Sequence, residues 1–254
     1  MDFGKKEIIL TSDGTKTMYS HRFKECYHST KDGALNESLY KHVVPAFNLV
    51  KKDKINILDI CYGLGFNTLA SIYYYKKYAP STKLTIYSPE FDKDLIKSLK
   101  SFEYPKEFEN LKDIINALSD NFYYKDEQTK IIILIGDARD EIKKIDKKID
   151  IIYQDAFSPK KNPSLWTKEW FRDLKNISSK DVILTTYSVA TPIRLALYEN
   201  GFNIYKLKND FTRDGTIASL KELNLEKIDM ELKKQRNPKA VALSDKNLKV
   251  FNET

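Results

Sequence analysis

Ile55-Asn56-Ile57-Leu58-Asp59-Ile60-Cys61-Tyr62-Gly63-Leu64-Gly65-Phe66-Asn67 is a short apolar run that ends in a two-glycine turn and opens a segment of helical character reaching about Tyr78. A strand, a tight turn and a helix in that order form the first half of a βαβ unit. The pattern repeats outward. Lys83–Ser88 reads as a second strand and Phe91–Lys100 as a helix. After an insert with a helix at Leu111–Phe122 come a strand at Lys130–Ile135 and a helix near Arg139–Ile145. Ile149–Asp155 is the next strand, Pro163–Ile177 a helix, Val182–Thr186 a strand and Thr191–Asn200 a helix. Two strands, Phe202–Lys208 and Thr216–Leu220, close the series and can turn back on each other across Asn209–Gly215. Alternation of this kind predicts an α/β fold, a Rossmann-like doubly wound sheet that is mostly parallel with an antiparallel C-terminal hairpin strand.

Three regions follow. Residues 1–50 are expected to form a small β-rich appendage, with strands at Ile8–Leu10 and Thr15–Tyr19, and a helix from Leu35 to Val50 that Pro45 kinks or divides. Residues 51–220 form the α/β core. Residues 221–254 are a charged C-terminal extension with a helix expected at Leu223–Lys234.

With 254 residues, 41% apolar and 12% aromatic, the chain can fill a sizeable core. No run of about 18 apolar residues suggests a membrane span, and Met1–Lys6 carries no secretory signal, so a cytoplasmic protein is expected. Cys26 and Cys61 are too few for a disulfide framework and lack metal-ligand spacing with the three histidines, so reduced thiols and no metal are expected. The net charge of +7 permits a polyanionic partner such as RNA. Only six of the 43 basic residues are arginine, a bias that genome composition can also produce, so charge alone does not identify the partner.

Successive strand ends carry the candidate chemistry. Gly63 and Gly65 allow close backbone approach to a ligand, and the helix N-terminus adds free N–H donors. A dinucleotide fingerprint would place a third glycine where Thr68 stands, which suits a nucleoside without pyrophosphate, such as S-adenosylmethionine. Glu90 ends the second strand, where a carboxylate can accept from ribose hydroxyls; Asp92 beside it can equally cap a helix. Asp137 follows the third strand, where it can bind an adenine amine or stand solvated. Gly-turn, acid, acid in that order describe the cofactor site of a class I methyltransferase. Asp155 then ends the fourth strand beside the expected reactive methyl, with Phe157 as aromatic neighbour. It can orient an amine and attract its charge, the competing role being a helix N-cap. His21 and His42 read as structural or surface residues.

The run Asp155-Ala156-Phe157-Ser158-Pro159-Lys160-Lys161-Asn162-Pro163, with Leu165-Trp166-Thr167, resembles the Asp-Gly-Phe-Ala-Pro-x-x-Asn-Pro-x-x-Trp-Thr signature of the MnmC methyltransferase-domain family, which modifies the tRNA wobble uridine. The opening Thr11-Ser12-Asp13-Gly14-Thr15 through Tyr27-His28-Ser29 and Gly33-Ala34 is similar to the same family, as is Thr186-Tyr187-Ser188-Val189. The resemblance implies S-adenosylmethionine-dependent methylation of the exocyclic amine of 5-aminomethyl-(2-thio)uridine in tRNA, with Asp155 catalytic. It implies a cofactor site of Asp59, Gly63, Gly65, Asn67, Glu90 and Asp137, and a substrate pocket shaped by Tyr27, His28, Phe157 and Tyr187. It further implies a stand-alone form without the family's FAD oxidase domain, and a separate oxidase or other wobble-uridine enzyme to supply the aminomethyl group. Ala156 replaces a usual glycine, and Thr212-Arg213-Asp214 replaces a Gly-Arg-Lys run, so no role is assigned to that loop. The competing readings are a small-molecule amine methyltransferase, a spermidine-synthase-like aminopropyl transferase, and a non-catalytic RNA-binding protein on the same fold.

Overall fold

The computed structural model describes residues 4–248. Three short strands come first, β1 (Lys6–Leu10), β2 (Lys16–Ser20) and β3 (Glu25–Cys26), in one antiparallel sheet. The Asp13 carboxylate fixes the turn between the first two: it accepts from the hydroxyls of Thr11 and Thr15 and from the Asn36 backbone N–H. Gly33 has φ 90°, and a Cβ there would stand 2.0 Å from the Asp13 side chain. The Thr11–Thr15 part of the opening motif and Gly33 therefore have a structural role.

The helix expected at Leu35–Val50 is continuous but not uniform: α1 (Ala34–Glu37), a π-helical segment (Ser38–Val43) and α2 (Val44–Leu49). Pro45 has no N–H for the carbonyl four residues back, and its ring crowds that carbonyl. The turn widens instead of breaking, and Val44 N–H reaches back to Leu39 O.

The core follows in chain order: β4 (Lys54–Ile60), α3 (Phe66–Tyr78), β5 (Lys83–Glu90), α4 (Lys93–Ser98), α5 (Lys112–Asn121), β6 (Tyr123–Lys125), β7 (Thr129–Ile135), α6 (Ala138–Glu141), β8 (Ile149–Gln154), α7 (Lys168–Ile177), β9 (Ser178–Thr186), α8 (Thr191–Glu199), β10 (Asn203–Leu207) and β11 (Gly215–Ser219). The sheet order is β10-β11-β9-β8-β4-β5-β7-β6. The five strands from β9 to β7 are parallel, while β11, β10 and β6 run antiparallel to their neighbours. Ile57, Leu58, Ile60, Ile151 and Ile152 are fully buried, as central parallel strands covered on both faces require. The chain order reverses between β4 and β8, whose pairing sets Asp59 beside Tyr153 and Ile60 beside Gln154. Ligands of such sheets bind at that reversal, outside the carboxyl ends of the strands.

Three local expectations change. Residues 163–177 are a 3₁₀ turn (Pro163–Trp166) and then α7, divided at Thr167, whose side chain caps α7 through Trp170 N–H. The three-residue β6 joins the sheet edge. The helix expected at Leu223–Lys234 begins later, as α9 (Met230–Arg236), capped by Asp229. Residues 223–228 instead follow the outer edge of β10, with Lys206 N–H donating to Glu226 O and Ile228 N–H to Ile204 O. Satisfying an otherwise open strand edge outweighs the local helical preference. Beyond α9, Ala242 and Leu243 are buried and Arg139 binds Asp245 through both terminal guanidinium nitrogens. Residues 1–3 and 249–254, the ends of the expected N- and C-terminal extensions, lie outside the described residues.

Candidate active site

At the carboxyl ends of β4, β5, β7 and β8 lies a cavity of about 560 Å³, walled also by the N-terminal appendage. Its floor is the turn after β4. Cys61 has φ 65°, Gly63 φ 54° and Gly65 φ 77°, so this turn holds three left-handed residues at alternate positions. A Cβ at Gly65 would stand 2.6 Å from the Tyr62 ring, and one at Gly63 3.1 Å from Tyr27 Cδ1. Gly65 is required by space as well as by φ, whereas at Gly63 the left-handed φ is the constraint and the Tyr27 ring would have to give by a few tenths of an ångström.

Asn67, in the first turn of α3, joins the two acids at the reversal point. Its Nδ2 donates to Asp155 Oδ2 at 2.8 Å and to Asp59 Oδ1 at 3.3 Å. Thr68, which occupies the position of the missing third glycine, donates its hydroxyl to Asp59 Oδ2 at 2.8 Å. Asp59 is fully buried; burial raises its carboxyl to about 7, with the Asp155 charge adding to the rise while Thr68, His42 and Asn67 oppose it. Asp59 therefore lies beneath the cavity and acts on it through Asn67.

Glu90 reaches the cavity from the end of β5. Its Oε2 accepts from Gly63 N–H and its Oε1 from Phe91 and Asp92 N–H, at 2.8–2.9 Å. Burial pushes this carboxyl upward against those three bonds. Asp92 takes the capping role, accepting from Leu95 N–H. Asp137, after β7, caps α6 through Arg139 N–H and lies at the cavity wall.

Asp155 does not cap a helix: Thr167 does that for α7, and the Asp155 side chain, 9% exposed, is turned to Asn67 and the cavity. The loop after it is held on several sides. Glu25 accepts from both the N–H and the hydroxyl of Ser158, Trp166 Nε1 donates to Phe157 O, and Tyr187 Oη donates to Ala156 O. Trp166 is fully buried and so secures the loop from beneath. Ala156 has no positive φ, so the usual glycine is not needed there. The Phe157 ring stacks on Phe23 at 4.4 Å and meets Tyr27 at 5.0 Å. Tyr187 and Tyr27 are both held firmly protonated, by burial first and by neighbouring acids second. His28 is buried at the inner wall, edge-on to Phe66 and 3.8 Å from Glu37.

Two contributions were not visible in the sequence. His42, read as structural or surface, is fully buried with Nε2 3.5 Å from Asp155 Oδ1 and Nδ1 2.9 Å from Thr185 Oγ1. Arg213, in the loop to which no role was assigned, reaches the rim and meets Asp32 and Ser29, while Phe211 stacks on Tyr40. Asp32 in turn binds the buried Lys41, which also meets Glu37. The cavity is thus acidic within (Glu37, Glu90, Asp92, Asp155), while Asp137 and three bases (Arg22, Lys31, Arg213) line it from exposed positions, the bases at its rim. Among the described residues no cluster of His, Cys, Asp and Glu is arranged to hold a metal ion, and no helix is long and apolar enough to cross a membrane.

Residues 103–221 match the family described as S-adenosyl-L-methionine-dependent methyltransferase. An uncharacterized protein of Methanocaldococcus jannaschii is 32% identical over 226 residues, 87% of this chain and 61% of that protein. The tRNA 5-methylaminomethyl-2-thiouridine biosynthesis bifunctional protein MnmC of Leptospira interrogans is 29% identical over 215 residues, 78% of this chain and 33% of that protein. Among solved structures, MnmC2 from Aquifex aeolicus superposes with a TM-score of 0.84 at 32% identity, over 96% of this chain and 80% of that one. The chain spans less than two thirds of the length of these curated relatives.

Proposed function

The chain belongs to the S-adenosyl-L-methionine-dependent methyltransferases of the MnmC methyltransferase-domain type, and we propose that it methylates the exocyclic amine of 5-aminomethyl-(2-thio)uridine at the tRNA wobble position, giving 5-methylaminomethyl-(2-thio)uridine. The observation that carries this reading is the change of sign across the cavity, acids within and bases at the rim. A substrate with a cationic amine at its tip and phosphates behind it has the complementary charge distribution. A free polyamine matches the interior but has no use for the basic rim.

The residues suit the family's cofactor. When bound, S-adenosyl-L-methionine supplies an electrophilic methyl group on a sulfonium. Gly63 gives it a stretch of floor without a side chain, Gly65 packs under Tyr62 and so shapes the turn, and Asn67, held by Asp59, lines that floor. Three of the roughly four lone-pair positions on Glu90 already accept backbone N–H groups, leaving room for one hydroxyl rather than the two expected. Asp137 takes the adenine amine.

The substrate amine arrives protonated and must lose a proton before its lone pair can attack. Asp155, the acid at the end of β8, attracts the ammonium and accepts that proton. Phe157, Tyr27, Tyr187 and His28 form the walls that hold the base in line. Methylation of the neutral amine gives a secondary ammonium directly, and once Asp155 has released the accepted proton to solvent its carboxylate pairs with that product cation. A tRNA substrate sets this work in the cytoplasm, after a separate enzyme has freed the aminomethyl group. Replacing Asp155 with Asn keeps the shape and an Asn67 contact but removes the charge. Turnover on tRNA bearing aminomethyluridine is expected to fall by about 10²- to 10⁴-fold, with calorimetric cofactor affinity retained. Loss of cofactor affinity with turnover unchanged per bound enzyme would move Asp155 to a binding role.

A further inference from the structure

We propose that His42 is a positioning residue for the methyl transfer, holding the Asp155 carboxylate in the orientation that faces the cavity; this rests on the function proposed above. His42 lies in the π-helical segment Ser38–Val43 and is fully buried beneath the ends of β8 and β9. Widened turns of this kind recur at functional sites, and here the widening precedes Pro45. The ring stands edge-on to Tyr153, whose hydroxyl meets Ser71 Oγ at 2.9 Å; Ser71 in turn donates to Asn67 O. His42 and Asn67 are thus parts of one buried network.

The tautomer follows from the neighbours. Nδ1 is 2.9 Å from the Thr185 hydroxyl, which can donate to it. Nε2 faces Asp155 Oδ1 at 3.5 Å and has no hydrogen-bond partner, although it is buried. A lone pair on Nε2 would confront a carboxylate oxygen; a proton on Nε2 points a donor at it. Thr185 as donor and Nε2–H as the outward group satisfy both contacts. A gap of 3.5 Å is long for a hydrogen bond, as catalytic contacts often are before substrate fills the site. Asn67 holds Oδ2 at 2.8 Å, so His42 supplies the second hold, on Oδ1. A carboxylate held at both oxygens keeps its remaining lone pairs directed at the substrate amine. An apolar residue would fill the same space without that hold.

His42→Phe, His42→Gln and Thr185→Val test this. With tRNA bearing aminomethyluridine, His42→Phe is expected to lower kcat by about 10- to 100-fold, as loss of one hydrogen bond to a charged group implies. Cofactor affinity and KM for tRNA should stay within about twofold. His42→Gln, which can still present an N–H to Asp155, should recover most of the rate, and Thr185→Val should fall between. The wild-type fold is also read directly: with three histidines in the chain, ¹⁵N-histidine spectra are tractable. The His42 ring should carry its proton on Nε2, and Asp155→Asn should move the Nε2 resonance. Wild-type kcat in His42→Phe, a Gln variant as impaired as the Phe variant, or a His42 resonance indifferent to Asp155→Asn would each overturn the proposal. Where wild-type protein leaves tRNA unmethylated, the function proposed above fails, and the spectra still decide the His42–Asp155 contact because they need no substrate. Should His42→Phe not fold, the Gln and Val variants and the spectra carry the decision.

Discussion

Asp59→Asn, followed by urea denaturation from pH 5 to pH 8.5 beside the unaltered protein, tests the electrostatics beneath the site. Asp59 is fully buried, and its carboxyl is raised from the ordinary 3.8 to about 7, first by burial and then by the charge of Asp155. Unfolded Asp59 is ionised above about pH 4, whereas folded Asp59 keeps its proton until about pH 7. Folding therefore takes up a proton across that window. The stability associated with this group is fully present below the unfolded value and is lost as pH rises through the folded one. The slope is about 1.4 kcal/mol per pH unit, and the whole displacement from 3.8 to about 7 amounts to about 4 kcal/mol. Asn at position 59 does not titrate. It also sets an extra donor among Asn67 and Thr68, which adds an offset of about 1–3 kcal/mol that does not vary with pH. The informative quantity is thus the change in the gap between the two proteins. The variant should gain on the wild type by about 2–3 kcal/mol between pH 5 and pH 7.5, and the gap should level off by pH 8.5. A gap independent of pH, or one in which the wild type gains as pH rises, would refute the reasoning and mean that Asp59 is ionised at least as readily folded as unfolded.

Two further substitutions have clear expectations. Gly65→Ala forces a side chain into φ 77° and sets its Cβ 2.6 Å from the Tyr62 ring; it should cost about 2–4 kcal/mol in urea denaturation and weaken calorimetric cofactor binding, and an unchanged midpoint would show that the turn rearranges freely. Lys41→Met leaves Asp32 and Glu37 without their shared buried cation; a loss of about 3–5 kcal/mol is expected at pH 7, shrinking in acid as the two carboxyls take up protons, and a loss independent of pH would point to packing alone.

Much of this fold could be read from local pattern. Apolar runs ending in Asp59, Glu90 and Asp155 reveal buried parallel strands, and the glycines after Asp59 mark the turn because left-handed backbone restricts residue choice. What escaped was set by distant partners. Nothing near His42 in sequence indicates Asp155 or Thr185, since the contact depends on a widened helical turn sliding beneath two strands. Arg213 stood in a loop unlike the family's, and its role follows from docking on Asp32. Residues 223–228 carry a helical pattern that edge pairing with β10 overrides. Thr68 shows the reverse case: a departure from the dinucleotide fingerprint whose cause, a hydroxyl for the buried Asp59, became clear once both ends were placed.

The central claim is that this cavity methylates an aminomethyl group on tRNA by means of Asp155. Its most direct test is mass spectrometry of wobble nucleosides from tRNA bearing 5-aminomethyl-2-thiouridine, incubated with S-adenosyl-L-methionine carrying a deuterated methyl group and either the wild-type protein or Asp155→Asn. The expected result is labelled 5-methylaminomethyl-2-thiouridine with the wild type, little with the variant, and no label on free polyamines offered in the same reaction. Unmodified tRNA in the presence of folded, cofactor-binding wild-type protein, or label on the polyamine instead, would contradict the account.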